Sequence, residues 1–172
     1  MEIRILFLLR TQTELIELAQ QQQQISKIVV PIDGSKNSMD AAEYAVKMAE
    51  RYSSDVAVVH VLHMDQNRQL LGIYGLHGPD VIKKKMEEAR VEAQKWFAEI
   101  SRNAEQRKVR VKSDVIEFPM SVVATIVEYA VNENADVIVI GTKGRSGMSK
   151  MLLGSVASGV VTYAPCPVLV VK

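Results

Sequence analysis

Hydrophobic residues along this chain change their period several times after residue 24. Lys27 to Ile32 is a short Val/Ile-rich run, the pattern of a strand buried on both faces. Asp33-Gly34-Ser35 then turns the chain. Asn37 or Ser38 is placed to cap a helix whose apolar stripe is Ala41, Tyr44, Ala45, Met48 and Tyr52. Asp55 to Leu62 supplies a second strand, and residues 63–78 a loop ending at Gly78-Pro79, with Pro79 suited to a first helical turn. The long helix that follows carries Ile82, Met86, Ala89, Ala93, Trp96, Phe97 and Ile100 on one face. Its other face is a solvated run of Lys83, Lys84, Glu87, Glu88, Glu92, Lys95 and Glu99, with helical ion pairs.

From Val109 to Glu117 the period falls to two: Val109, Val111 and Val115 alternate with Arg110, Lys112 and Asp114, which predicts a half-exposed edge strand. Pro119 to Asn132 returns to a helical period, with Val122, Val123, Ile126, Val127 and Ala130 inward. Asp136 to Ile140 is a buried strand, Val156 to Tyr163 a short helix, and Val168 to Val171 a last apolar strand. Five strands interleaved with four helices predict an α/β fold, a parallel sheet covered on both faces and wound by right-handed crossovers. Open sheets of this kind bind ligands beyond the strand C-termini, where the winding reverses.

At 172 residues, 48% hydrophobic and 24% charged, the composition is that of one ordinary globular domain. A net charge of +1 gives no field that favours nucleic acid or an anionic membrane. Cys166 is the single cysteine, so no internal disulfide can form, which fits a reducing, cytoplasmic compartment and a packed, inert thiol. Ile3 to Leu9 is too short to span a bilayer. Residues 1–24 read as an appendage to a domain over 25–172. The expectation from sequence is a disordered segment or a short helix ending in the polyglutamine tract Gln20 to Gln24, read either as a docking helix or as a translation-start artefact.

The chemistry concentrates in Gly141-Thr142-Lys143-Gly144-Arg145-Ser146-Gly147, continuing to Gly154-Ser155-Val156. Glycines in such a loop allow left-handed turns and a close backbone approach to a ligand. A helix opening at Gly154-Ser155 would turn free N–H groups and its positive dipole end toward the loop, a phosphate site in physical terms. The spacing G-x2-G-x9-G-S resembles the ATP-binding signature of the universal stress protein family. Further marks of the resemblance are Val30-Pro31-Ile32-Asp33-Gly34-Ser35, Val59-His60-Val61 and Pro167-Val168-Leu169-Val170-Val171, so that it covers roughly Ile25 to Lys172.

The resemblance implies a Rossmann-like sheet of the adenine nucleotide alpha hydrolase type, order 3-2-1-4-5, with the crevice between the first and fourth strands. It implies ATP as ligand, with Mg²⁺ or Mn²⁺ carried by the nucleotide. Asp33 carries over as the contact to the nucleoside, through ribose hydroxyls, although the bare sequence fits an Asx turn equally well. Pro31, Ile32 and Val61 would border the base and Ile140 would close that slot. Gly141, Gly144, Gly154, Ser155 and Val156 would offer backbone amides, and Ser155 a hydroxyl, to ribose and phosphates. Lys143, Arg145 and Lys150 are candidate cations for the phosphates, and Leu70 to Leu76 a candidate cover or dimer contact. The resemblance also implies a homodimer through Val168–Val171.

Other nucleotide chemistries lack their motifs. No G-x4-G-K-[ST] exists, the first strand is followed by neither G-x-G-x-x-G nor H-x-G-H, and no nucleophile–base constellation marks catalytic residues. His60, His63 and His77 lack metal-site spacing, and His60 reads as a packed strand residue. The expected function is an ATP-binding, stress-response regulatory switch acting on a protein partner. The alternative is a slow ATPase or self-phosphorylating phosphotransferase.

Overall fold

The computed structural model describes residues 25–62, 79–117, 121–144 and 153–172, apart from the Pro79 and Ile82 side chains. The elements are β1 (Lys27–Ile32), α1 (Lys36–Tyr52), β2 (Asp55–Leu62), α2 (Pro79–Gln106), β3 (Val111–Glu117), α3 (Val122–Asn132), β4 (Val137–Gly141), α4 (Ser155–Tyr163) and β5 (Val168–Val171). Their strands form one sheet in the order β3-β2-β1-β4-β5, and every adjacent pair is parallel. The chain winds outward from β1 through β2 to β3, then crosses back over β1 to β4 and β5. The reversal lies between β1 and β4, as the family order requires.

Side chains alternate across a strand, so each continuous apolar run feeds two cores. Ile28, Val30 and Ile32 of β1, with Val56 and Val58 of β2, pack beneath α1 and α2. Val29, Ala57 and Val59 face the other way, against Ile126 and Ala130 of α3 and Ala157 and Val160 of α4. Both faces of the sheet are thereby closed by helices.

Three local expectations are corrected. The N-cap of α1 is Ser35, whose side-chain oxygen accepts from the Ser38 amide at 3.3 Å, and neither Asn37 nor Ser38. Asn37 falls inside the first turn, where its side chain bonds elsewhere. The buried stripe of α1 is Ala41, Ala42, Ala45, Val46 and Ala49, whereas Tyr44 and Tyr52 are 49% and 45% exposed. The helix runs close over β1 and β4, and only small side chains fit at that separation. Finally, β3 begins at Val111 because the Val109 amide donates to Ala104 O at 2.9 Å, closing the end of α2, with Lys108 at φ +56°.

Helix α3 is capped by Ser121, whose hydroxyl accepts from the Ala124 amide at 3.3 Å. The earlier start expected at Pro119 lies outside the described residues. Buried Ala93, Ile100 and Ala104 and half-buried Met86, Ala89, Trp96 and Phe97 form the inner face of α2. The two sheet edges differ in character. On β3, Lys112 bonds Glu133 at 2.5 Å and Asp114 at 3.1 Å, and the Tyr129 hydroxyl donates to Asp114 at 2.6 Å. On β5 the residues are Val-Leu-Val-Val, all half-buried.

Candidate functional site

Strands β1 and β4 are paired along the sheet, but their continuations part. After Ile32 the chain turns into α1, and after Gly141 it runs toward α4. A cavity of ≈ 530 Å³ opens in this gap. Its apolar walls are Pro31, Ile32, Val59, Val61, Val122, Ile126 and Ile140, and its rim is Asp33, Gly141, Thr142, Lys143, Gly144, Gly154, Ser155, Val156 and Ala157. All ten residues singled out from the sequence therefore border one space, although they come from five separate stretches of chain. The volume falls within the range of small-molecule pockets.

Asp33 forms the Asx turn and also borders the cavity. Oδ1 accepts from the Ser35 amide at 3.0 Å and the Ser35 hydroxyl at 2.6 Å, which is an Asx turn leading into α1. Oδ2 faces the second loop: a Cβ on Gly144 would lie 2.5 Å from it. The Asp33 amide donates to Ser38 Oγ at 3.3 Å, which orients the residue from behind.

The glycine loop differs from expectation in conformation. Gly141, Gly144 and Gly154 do not adopt left-handed φ, whereas Gly34 does, at +76°. Gly141 is required by close packing: a Cβ there would fall 2.6 Å from Asn37 O and 3.0 Å from the Ser38 amide nitrogen. The amide of Gly154 donates to Thr142 O at 2.7 Å, so it is engaged within the loop itself. Helix α4 starts at Ser155 with Gly154 as a cap lacking a side chain. The amides of Ser155, Val156 and Ala157 have no acceptor within the helix and lie at its positive end.

The opposite face of the sheet supports the first loop. His60 is buried, its Nδ1 lies 2.7 Å from Ile32 O, and its ring meets Trp96 edge-on with centroids 5.2 Å apart. Cys166 is half-buried, and burial together with the charge of Asp136 pushes its thiol above the ordinary value, leaving it un-ionised. Among the described residues no three His, Cys, Asp or Glu side chains converge as a metal site. Arg145, Lys150, His63, His77 and the Leu70–Leu76 segment lie outside the described residues. Among those that are described, no helix is long and apolar enough to cross a membrane.

Sequence reasoning missed Thr142, Val59 and Ala157 as cavity residues, and Val122 and Ile126 were read only as core. A signal existed for part of this. Val59 lies two residues from Val61 and so shares its face, and Val122 and Ile126 already stood on the inward stripe of α3.

Residues 24–172 match the model of the universal stress protein family. Universal stress protein MJ0531 of Methanocaldococcus jannaschii is 36% identical over 147 residues, covering 85% of this chain and 81% of its own. Universal stress protein Sll1388 of Synechocystis is 30% identical over 154 residues, covering 85% and 97%. Among solved structures, hypothetical protein MJ0577 superposes with a TM-score of 0.69 at 27% identity, covering 87% of this chain and 96% of its own. A universal stress protein in complex with cAMP gives 0.63 at 22%, covering 87% and 98%. A family protein from Arabidopsis thaliana with AMP bound gives 0.59 at 13%, covering 86% and 91%. By its family-model match and by its identity to curated relatives along most of its length, this chain belongs to the universal stress protein family.

Proposed function

We propose that the cavity between β1 and β4 binds ATP, with Mg²⁺ or Mn²⁺ carried on the phosphates, and that occupancy switches an interaction with a protein partner. The observation that carries this reading is the pairing, across one cavity, of the Asp33 carboxylate with the N-terminus of α4. An apolar slot of Pro31, Ile32, Val61 and Ile140 suits a flat base. Asp33 suits ribose hydroxyls, which donate to a carboxylate. The first-turn amides of α4, with Gly144 and the Ser155 hydroxyl, suit phosphate oxygens. The missing Cβ at Gly144 leaves open a cradle that any side chain would close against Asp33. Family members in complex with cAMP and with AMP add support from outside the chain.

ATP is held rather than turned over rapidly. Backbone amides and hydroxyls placed for the ground-state phosphates give uniform binding, which does not speed the chemical step. The Asp33 carboxylate is engaged by the Ser35 amide and hydroxyl, and its role in this reading is to accept from the ribose rather than to activate a water. A homodimer through Val168–Val171 completes the reading, since an apolar edge strand without charges is an association surface.

Calorimetry with ATP and MgCl₂ tests the site, and phosphate release tests the chemistry. Saturable ATP binding, weakened about tenfold or more by Asp33→Ala, with turnover below about one per second, is the expected result. No binding by the folded wild-type protein overturns the reading. Faster turnover lost in Gly144→Ala makes the protein an ATPase or phosphotransferase instead.

A further inference from the structure

Thr142 joins three elements at the rim of the cavity. Its amide donates to Val171 O at 2.9 Å, which ties it to β5. Its carbonyl accepts from the Gly154 amide at 2.7 Å, which ties it to the cap of α4. Its Oγ1 accepts from Asn37 Nδ2 at 2.8 Å, which ties it to the first turn of α1. The last bond spans 105 residues of sequence and is partly buried.

We propose that Asn37 and Thr142 form a positioning pair that fixes residues 141–144, at the start of the glycine loop, before a nucleotide arrives. The inference rests on the nucleotide-binding reading of the cavity. Because Ser35 caps α1, Asn37 sits at the second helical position and its amide group points outward to the loop after β4 rather than to its own helix. Gly141 lets the two backbones approach until a Cβ at 141 would be 2.6 Å from Asn37 O, which brings Thr142 within reach. Ser35 Oγ, whose proton is donated to Asp33 Oδ1, also lies 3.4 Å from Lys143 O, so the same seam brings α1 close to the next loop residue. The loop is therefore held on one side by α1 and on the other by α4, through residue 142 in both cases. Residues 141–144 held in this way lose less conformational entropy when they meet a phosphate, so the pair contributes to affinity without touching the ligand.

Thr142→Val keeps the shape and removes the acceptor, Thr142→Ser keeps the hydroxyl, and Asn37→Ala removes the donor. Nucleotide affinity by calorimetry is expected to fall about three- to tenfold in Thr142→Val and in Asn37→Ala. The double variant should be no weaker than either single one, and Thr142→Ser should stay within about twofold of wild type. Hydrogen exchange of the ligand-free proteins should show faster exchange at residues 142–144 and 154–156 in the two disrupted variants, with the β1 and β2 amides unchanged. Additive losses, unchanged affinity in Thr142→Val, or unchanged loop exchange overturn the proposal. If the wild type binds no nucleotide, the site reading falls and the pair is judged by loop exchange alone: selective loosening upholds it as the loop's anchor, and none overturns it.

Discussion

The indole of Trp96 lies directly over Gly34: a Cβ on Gly34 would fall 2.0 Å from Trp96 Cζ2. The turn that presents Asp33 to the cavity is thus pressed from the far side of the sheet by helix α2. Gly34 is also at φ +76°, a conformation that side chains resist. Gly34→Ala should cost about 2–4 kcal/mol, from backbone strain plus overpacking. In a Trp96→Ala background the same change should cost only about 1 kcal/mol, the backbone part. Urea unfolding of the four proteins checks this, and equal costs in both backgrounds would exclude the steric contact.

The glycines of the loop after β4 should separate into two kinds. A side chain at Gly141 meets the backbone of Asn37 and Ser38, which cannot yield, whereas one at Gly144 meets only the end of the Asp33 side chain. Gly141→Ala is expected to destabilise the fold by about 1–3 kcal/mol. Gly144→Ala should leave unfolding within about 0.5 kcal/mol of wild type while weakening ATP binding. The paired thermal melts and titrations decide it, and a stable Gly141→Ala protein with a selective binding loss would return Gly141 to the role of a ligand-approach glycine.

The acid side of the stability curve should depend on Asp136. Burial works against its charge, but the Ser26 hydroxyl at 2.7 Å and the amides of Ser26 and Lys27 at 2.7 and 2.8 Å outweigh it and hold the carboxyl below its ordinary 3.8. A folded-state pKa lowered in this way contributes stability that is fully present above the unfolded value. It is lost as the pH falls from there through the folded value. The stability difference between wild type and Asp136→Asn should be flat from pH 7 to about pH 5 and shrink below 3.8. A difference independent of pH down to the acid transition would show that the ionised form is not what Ser26 and Lys27 recognise.

Assembly should follow β5 rather than β3. The β3 edge is guarded by Lys112 and Asp114, with Glu133 and Tyr129 beside them, while β5 offers only Val168 to Val171. Light scattering at high micromolar concentration should give a dimer. Val170→Asp should give a monomer, and because Val170 also packs on the α3/α4 side of the sheet, its cooperative unfolding must be checked alongside. A monomeric wild type removes the proposed interface.

Periodicity located every strand and helix among the described residues, because each element buries a face whose spacing is written directly in the chain. It also marked Ile126 as inward, whereas Val61 and Ile140 were assigned to the slot only through the family resemblance. Strand order was not in the pattern, since an apolar run reads the same at any place in a parallel sheet. Only the family resemblance supplied that order before the structure was described, and the β1–β4 neighbourhood that forms the cavity depends on it. Contacts between distant segments were invisible for a related reason. Asn37 looked like a cap residue because Ser, Asn and Asp compete for that role locally, and no local rule reveals a partner at Thr142. Gly141 looked like a ligand glycine for the same reason: its neighbours in sequence show a loop, while the atom that forbids a side chain belongs to Asn37, reached only when α1 folds across β4. Sequence determined the elements and their buried faces through local spacing. Tertiary structure decided which polar groups meet, because those distances are set by packing between segments about a hundred residues apart.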